Sequence, residues 1–363
     1  MGKLGVAEAV APNLIVNAGL FAHKPLGCDA DFKMIGSIHF KNFRVLRDTT
    51  LPLSPFTLIV GPNGSGKSTV FVALEWFDSY DQYPASVYRH VDAGLQEAVE
   101  VDVVGAKEHD GVSFLFKLGV GGSHKSWQPS DYPDEAASLD KDLRKWRRYS
   151  FDPGILAKPA QLSPHVALGP RGEGLAVALD QLRDDSPERF EALNNEIGRW
   201  LPEFDRVLFT TPGEGHRALS LRTRRGGYNI PSANLSQGTL IALAILTLAY
   251  LPDPPAIVGL EEPDRGLHPR LLREVRDAIY RLTNPAAFGE KREPVQVIAT
   301  THSPFFLDLF RDHPEEIVIA EKVGLEARFQ RLSDRADLDE ILGDASLGEV
   351  WYSGVLGGVP AAA

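Results

Sequence analysis

The segment 61–69 constrains the fold of this chain more than any other, because it matches a phosphate-binding loop in full. It follows the pattern G-x-x-x-x-G-K-[ST] and reads Gly61-Pro62-Asn63-Gly64-Ser65-Gly66-Lys67-Ser68-Thr69. An apolar run at 57–60 predicts a strand before the loop, and residues 67–77 predict a helix after it. A full match in that setting favours a nucleotide site over a glycine-rich turn without a ligand.

Each residue type in this loop has a chemical reason to be there. The glycines let backbone N–H groups converge on phosphate oxygens, and the start of the helix adds partial positive charge. The Lys67 ammonium would reach the β- and γ-phosphates, and the Ser68 hydroxyl would bind Mg²⁺. The loop therefore predicts a nucleoside triphosphate and Mg²⁺ as cofactors.

Two adjacent acids, Glu261 and Glu262, follow the apolar run 256–260. Neighbouring positions on a strand point in opposite directions, so the two carboxylates can have different roles. We expect Glu261 to face Mg²⁺, although aspartate is the more usual residue there. Glu262 would orient or deprotonate the water that attacks the γ-phosphate. On its own such a pair means little, but after a phosphate loop it indicates a hydrolytic site.

Two further candidate sites lie at the ends of predicted elements. His302 follows the apolar run 295–300 and could donate a hydrogen bond to the γ-phosphate. Standing alone, it would favour a histidine that caps the turn before Pro304. Ser236 is a good N-cap for the next apolar helix, and Gly238 permits close backbone approach, so this helix start could hold an anion. One triphosphate cannot easily use two such sites of one chain, whereas a head-to-tail dimer lets Ser236 complete its partner's loop.

The rest of the pattern predicts a mixed α/β fold. The strand–helix–strand alternation at 256–260, 269–282 and 295–300 is typical of a parallel sheet with crossover helices. Residues 97–104 and 112–120 alternate apolar and polar side chains and predict an antiparallel hairpin. Further expected elements are strands at 35–40, 56–60, 207–209 and 218–222, a turn at 51–55, and helices at 134–148, 173–182 and 187–201.

The charge balance limits the classes of partner. A formal net charge of -11 argues against a surface coated with phosphate-binding cations, but a local basic patch remains open. The helix predicted at 134–148 ends in such a cluster, formed by Lys141, Arg144, Lys145, Arg147 and Arg148. Cations suit the negative end of a helix dipole, and contact with nucleic acid is the alternative.

Composition also bears on the compartment. The only cysteine, Cys28, excludes an internal disulfide and fits a reducing cytoplasm. The longest apolar run, 240–251, is shorter than the roughly 20 residues of a membrane span and predicts a buried helix. Residues 1–33 lack the features of a secretory signal and read as a poorly ordered extension, or else as an arm that docks on a partner. The sequence contains no long heptad repeat, so a long coiled-coil arm is not expected.

Taken in order, these motifs resemble the ABC-type ATPase heads of the RecF, SMC and overcoming-lysogenization-defect (OLD) group. The phrases most similar to the OLD branch and its stand-alone relatives are Glu261-Glu262-Pro263-Asp264-Arg265-Gly266-Leu267-His268-Pro269 and Thr301-His302-Ser303-Pro304. The other matched segments are 61–69 and 235–239, the first strand at 38–43 and the tail at 347–351. The resemblance implies a P-loop NTPase fold with a mixed, largely parallel core sheet, an antiparallel β subdomain and an inserted helical lobe.

The expected parts follow the order of the motifs. They are an extension at 1–33, a first ATPase lobe at 34–125, an inserted helical lobe at 126–250 and a second ATPase lobe at 251–363. The inserted lobe includes the signature segment at 235–239 and the helix that follows it.

The resemblance also implies ATP as the nucleotide and further site roles. Asp264 would lie in the loop that couples two active sites, and His302 would be the switch histidine. The family's Mg²⁺-binding glutamine stays unassigned between Asp152 and Gln161. Gln237 replaces the glycine of transporter signatures, which speaks against a transport ATPase.

The leading hypothesis is an Mg²⁺-dependent ATPase that dimerises head to tail around ATP. It would serve as the switch or sensor of a cytoplasmic, DNA-related system, in repair or anti-phage defence. Only about 60 residues follow His302, and a further α/β domain needs roughly 100, so a nuclease is expected on a separate effector chain. The lobe before Ser236 would face that effector or DNA, and no membrane contact is expected. The alternative is a nucleotide-gated scaffold with negligible turnover that sequesters or releases a partner.

Overall fold

The computed structural model describes residues 35–356 except 80–86, 95, 107–112, 120–121, 129–132, 164–166 and 344. The extension predicted at 1–33, which includes Cys28, lies outside the described residues.

The central sheet contains both the phosphate-loop strand and the strand of the acid pair. In the described part of the chain it has the order β15 (Glu326–Arg331), β14 (Ile317–Val323), β3 (Phe56–Val60), β13 (Gln296–Thr301), β12 (Ile257–Glu261) and β7 (Trp146–Tyr149). The strands from β14 to β7 are parallel, and β15 is antiparallel to β14. Every residue of β3 and β13 is buried, as is typical of strands covered on both faces. The predicted parallel sheet is confirmed.

Three parallel strands end side by side at one edge of this sheet. Register pairs Glu261 of β12 with Thr300 of β13, and Thr301 of β13 with Val60 of β3. The segments that follow these strands therefore begin next to one another, which is where ligands bind in parallel α/β sheets. The phosphate loop, the acid pair and His302 are those segments.

A second sheet is antiparallel throughout. Its order is β2 (Leu46–Pro52), β1 (Ile35–Phe43), β4 (Val99–Gly105), β5 (Ser113–Gly119) and β6 (Gly122–Gln128). The predicted hairpin is confirmed as β4 and β5. Strand β2 is missing from the sequence prediction, and the turn predicted at 51–55 starts too early, because Leu51 and Pro52 belong to β2. Only Leu46, Thr49 and Leu51 of this edge strand are buried, so its period of two is broken.

The helices cover the central sheet and build the lobe between β7 and β12. Their bounds are α1 (Lys67–Ser79), α2 (Pro133–Arg144), α3 (Pro153–Leu156), α4 (Leu175–Asp185), α5 (Pro187–Trp200), α6 (Gln237–Tyr250), α7 (Leu272–Thr283), α8 (Pro304–Leu307), α9 (Leu338–Leu342) and α10 (Leu347–Tyr352). A small antiparallel sheet holds β8 (Ala160–Gln161), β9 (Phe204–Thr210), β10 (His216–Thr223) and β11 (Asn229–Pro231). The helices predicted at 173–182 and 187–201 are confirmed as α4 and α5.

Helix α6 is a core element. Residues 239–250 are all buried, and the helix packs between α5 and α7. This confirms the buried helix predicted from the apolar run at 240–251. Within the residues that the structure describes, no helix has the length and apolarity needed to cross a membrane.

The helix predicted at 134–148 is too long at its C-terminal end. α2 ends at Arg144, and Trp146 begins β7, the edge strand that pairs in parallel with β12. Both ends of β7, Trp146 and Tyr149, are buried, whereas Arg147 is exposed and Arg148 half-buried. Four residues are too few for a periodic signal, so only the pairing with β12 reveals the strand. The bounds predicted for the lobes stay predictions. Strand β7 falls within the predicted inserted lobe at 126–250, but it pairs into the central sheet.

Candidate nucleotide-binding site

The phosphate loop joins β3 to α1 along a path that depends on glycine. Gly64 and Gly66 have φ angles of +75° and +87°, which other residue types rarely adopt. A β-carbon on Gly61 would overlap the carbonyl oxygen of Ala320 on β14. The loop therefore needs glycine at 61 and 66, the two glycines of the pattern, and also at 64.

The Lys67 ammonium is buried against the loop. Nζ donates to the carbonyl oxygens of Gly61 at 2.8 Å and Pro62 at 2.9 Å. Burial lowers the pKa of Lys67 to about 8, against the opposing effect of the Glu262 and Glu261 carboxylates. An anion beside Nζ would favour the charged ammonium, so this position suits a phosphate.

Ser68 and Glu261 meet across the edge of the sheet. The Ser68 hydroxyl donates to Glu261 Oε1 at 2.6 Å. Burial alone would raise the pKa of Glu261, but hydrogen bonds from Ser68 and Arg148 outweigh it and lower that pKa below its usual range. A hydroxyl beside an ionised carboxylate is the oxygen set that Mg²⁺ prefers. The residues present therefore fit the ion.

Arg148 is a site residue that the sequence did not reveal. Its Nε and Nη2 donate to Glu261 Oε2 at 3.2 and 2.6 Å, and its Nη1 donates to Glu75 Oε1 at 3.1 Å. The pairing of β7 with β12 sets Arg148 opposite Gly259, two residues before Glu261. The sequence signal for this strand is weak: two cations, Arg147 and Arg148, lie between the aromatic residues Trp146 and Tyr149. The same pattern also fits the end of a helix.

Glu262 leaves the strand through an unusual backbone conformation. Strand β12 ends at Glu261, and Glu262 has a φ of +47°, in the left-handed region that costs a non-glycine residue energy. The Glu262 N–H donates to the Thr300 carbonyl at 3.1 Å, which holds the turn. Glu262 thus lies beyond the strand, so the strand alternation assumed from the sequence does not describe this pair, and the two carboxylates have different partners.

His302 follows β13 and faces the second acid. Its Nε2 lies 3.7 Å from Glu262 Oε1. Burial and the positive charge of Lys67 lower the pKa of His302, and Glu262 opposes them. The predicted γ-phosphate contact and the predicted water-orienting acid thus lie beside each other at this edge.

Asp264 is tied to the same edge. Thr301 Oγ1 donates to Asp264 Oδ1 at 2.8 Å, and the Ser303 N–H donates to Thr301 Oγ1 at 2.9 Å. Burial raises the pKa of Asp264 to about 6, against the effect of that hydrogen bond. The segment after β12 and the segment after β13 are therefore linked to each other.

The start of α6 is exposed, and Ser236 caps it within the same chain. Ser236 Oγ accepts from the Thr239 N–H at 3.1 Å and lies 2.8 Å from Thr239 Oγ1. A β-carbon on Gly238 would lie 2.9 Å from the Gly266 carbonyl oxygen, so glycine permits this close approach. Within the described residues, the structure does not bring Ser236 into hydrogen-bond contact with the phosphate loop.

Neither candidate for the Mg²⁺-binding glutamine contacts Glu261. Asp152 caps α3 by accepting from the Gly154 and Ile155 N–H groups, and it pairs with Arg171. Gln161 lies on β8. Ser150, directly after β7, instead lines one cavity with Glu261, and its hydroxyl is among the groups that lower the pKa of Glu261.

A cavity of about 240 Å³ opens beside the acid pair and reaches Ile241 on α6. Its walls come from the segments after β7 and β12 and from α6, and the lining residues are Ser150, Phe151, Ile241, Glu261, Glu262, Pro263 and Arg265.

Comparison with known proteins identifies the family. Residues 56–308 match the family described as "AAA domain, putative AbiEii toxin, Type IV TA system". The chain belongs to this AAA family. It is 25% identical to the OLD nuclease of Thermus scotoductus, over 87% of this chain and 68% of that protein. It is 20% identical to the Old nuclease of Escherichia phage P2, over 75% of this chain and 57% of that protein.

The fold is similar to that of solved SMC head domains. An SMC head bound to the C-winged helix domain of ScpA matches with a TM-score of 0.55 at 15% identity, over 82% of this chain and 96% of that one. An SMC head with an extended coiled coil from Pyrococcus furiosus matches with a TM-score of 0.51 at 14% identity, over 82% and 96%. The predicted resemblance to ABC/RecF/SMC/OLD ATPase heads and the predicted fold class are confirmed.

Proposed function

We propose that this AAA-family head is an Mg²⁺-dependent ATPase. The convergence of Lys67, the Ser68–Glu261 pair and the Glu262–His302 pair at one edge of the central sheet supports it most strongly. These residues come from three separate segments, and a purely structural role would not require a buried ammonium near the Glu261 and Glu262 carboxylates and the His302 ring.

We propose a separate role for each of these residues. Lys67 neutralises charge on the β- and γ-phosphates, and Gly61 to Thr69 supply backbone donors. Ser68 and Glu261 would hold Mg²⁺, and the bound ion would offset the charge that develops on the phosphates. Glu262 orients the attacking water and accepts its proton, and His302 Nε2 donates to the γ-phosphate.

We also propose that the active form is a head-to-tail dimer. Ser236 stands at the exposed start of α6 and, among the described residues, makes no hydrogen bond to its own phosphate loop. In the dimer it would bind the γ-phosphate held by the partner, at a helix start that favours anions. Asp264, linked to β13 through Thr301, would pass the state of one site to the other.

Steady-state ATP hydrolysis tests the enzymatic proposal, measured with and without DNA. Wild-type protein should turn over ATP, and Glu262→Gln should lose at least about 100-fold in rate, as expected when a general base is removed. Absence of turnover by the wild type, or an unchanged rate in Glu262→Gln, would instead favour a nucleotide-gated scaffold.

The biological role proposed is that of a switch in a DNA-related system, either anti-phage defence or repair, with a separate effector nuclease. The names of the two OLD relatives support the link to nuclease activity. Incubation of the purified chain with linear and supercoiled DNA, Mg²⁺ or Mn²⁺, and ATP tests the separation. Cleavage by this chain alone would contradict a separate effector, and co-purification of a nuclease from the native host would support it.

A further inference from the structure

We infer that Arg148 is a positioning residue that holds the Glu261 carboxylate in the orientation needed to bind Mg²⁺. This inference rests on the proposed ATPase function, because it assigns a role at the same site. It concerns a residue on β7 that belongs to none of the family-like motifs recognised in the sequence.

The two oxygens of Glu261 have different partners. Arg148 binds Oε2 through two nitrogens, at 2.6 and 3.2 Å. Ser68 binds Oε1 at 2.6 Å. The guanidinium thus binds Oε2 and leaves Oε1 directed at Ser68. Glu261 Oε1 and the Ser68 hydroxyl oxygen can then serve as ligands of one cation.

Arg148 is itself fixed on several sides. Its Nη1 donates to Glu75 on α1 at 3.1 Å, and its guanidinium carbon lies 5.7 Å from the ring centre of Phe71 on the same helix. Its backbone is paired with Gly259 on the strand that carries Glu261. A guanidinium bound to two carboxylates and packed on a ring has little freedom, so it can define the position of its partner.

This arrangement explains why glutamate serves at a position where aspartate is usual. Glutamate has one more rotatable bond than aspartate and loses more conformational entropy when a metal fixes it. Arg148 restrains that bond before the ion arrives. Because α1 carries both Ser68 and Glu75, the same helix supplies one Mg²⁺ ligand and the anchor of the clamp.

A competing role predicts the opposite sign. If Arg148 only neutralised Glu261, its positive charge would repel Mg²⁺, and its removal would strengthen cation binding. If Arg148 positions the carboxylate, its removal weakens cation binding, since loss of an outer-shell partner typically costs about 10- to 100-fold in metal affinity.

Mn²⁺ binding measured by electron paramagnetic resonance tests the inference without relying on turnover. Mn²⁺ replaces Mg²⁺ as the probe, and a non-hydrolysable ATP analogue is present at saturation. We expect Arg148→Ala to bind Mn²⁺ about 10- to 100-fold more weakly than wild type. Arg148→Lys should remain impaired, because an ammonium cannot reproduce the forked contact. Arg147→Ala is the matched control, because it removes the neighbouring, exposed cation from the same strand.

A double-mutant cycle separates positioning from a general effect on folding. In the wild-type background, Glu261→Asp should weaken Mn²⁺ binding, because the shorter side chain cannot reach both Ser68 and Arg148. In the Arg148→Ala background the same change should cost much less, because the clamp is already gone. Strictly additive losses, or unchanged or tighter Mn²⁺ binding by Arg148→Ala, would overturn the inference.

Failure of the proposed function gives a different pattern. If Ser68→Ala weakens Mn²⁺ binding and Arg148→Ala does not, the nucleotide site stands and the role of Arg148 falls. If wild-type protein binds no Mn²⁺ with the nucleotide analogue, both proposals are wrong.

Discussion

The indole of Trp146 packs so closely over Gly259 that a side chain at position 259 would collide with it. A β-carbon there would overlap Trp146 Cη2 and lie 3.1 Å from Phe71 Cδ1. The two residues lie on neighbouring parallel strands, β7 and β12. This contact sets how β7 lies against β12, and thus where Arg148 stands relative to Glu261.

We predict that Gly259→Ala destabilises the protein. The added methyl overpacks a buried site between two large rings, which typically costs about 1–3 kcal/mol. Thermal unfolding measured by circular dichroism should show a lower Tm. Gly213→Ala is the control, because a β-carbon on Gly213 meets nothing within 4 Å. Equal Tm values for the two variants would contradict the close packing.

We predict that Lys67→Ala loses measurable ATP binding. The variant removes the side-chain cation of the loop, and hydrogen bonds to charged groups contribute about 1.5–3 kcal/mol each, so the affinity should fall at least about 100-fold. Titration with a fluorescent ATP analogue measures this. Lys291→Ala, which removes an exposed lysine from the loop before β13, should bind like the wild type. Retained micromolar affinity in Lys67→Ala would refute the role of Lys67.

We predict that Glu262→Gln forms an ATP-dependent dimer. The variant should bind ATP and Mg²⁺ but fail to activate water, so the ATP-bound state accumulates. Light scattering should report twice the monomer mass with ATP and the monomer mass with ADP.

A second substitution tests whether Ser236 acts across that dimer. Ser236→Arg places a bulky side chain at the exposed start of α6 and should abolish the dimer of Glu262→Gln while ATP binding remains. A dimer that persists in the double variant would contradict the role of Ser236 in the partner's site.

We predict a pH-dependent effect of Asp264→Asn on stability. Burial raises the pKa of Asp264 to about 6, so the folded protein holds this proton more tightly than the unfolded chain. The resulting stabilisation is complete below the unfolded pKa near 4 and is lost as the pH rises through about 6. Asparagine carries no such charge and can still accept the hydrogen bond from Thr301.

The measurement is the Tm of Asp264→Asn minus the Tm of wild type across this range. The difference in Tm should grow from about pH 4 to about pH 6 and then stay constant, and the corresponding difference in the free energy of unfolding should not exceed about 3 kcal/mol. A difference in Tm that does not change with pH would show that folding does not raise the pKa of Asp264.

Local patterns predicted much of the fold and part of the site. The strand of residues 56–60, the helix after the phosphate loop and the buried helix α6 each produce their own signal within a short window. The same holds for the acids after β12 and for His302 after β13, because each directly follows an apolar strand. The proximity of these groups follows from parallel pairing, since neighbouring parallel strands end at a common edge.

Other features depend on contacts that no short window contains. Strand β7 has four residues and is defined by its pairing with β12. The sequence pattern therefore placed Arg148 at the end of a predicted helix. Ser150 lines a cavity with Glu261 for the same reason, whereas Asp152, a plausible ligand in sequence, caps α3.

The amino-acid sequence by itself determined that this chain carries a phosphate loop, an acid pair and a histidine at the ends of strands, because these depend on residue type and local order. Only the tertiary structure decided how the Glu261 and Glu262 side chains are positioned. The left-handed turn at Glu262 is held by the Thr300 carbonyl, and the Glu261 carboxylate is held between Ser68 and Arg148. Each of these depends on distant segments packing side by side, and such packing is a property of the folded chain.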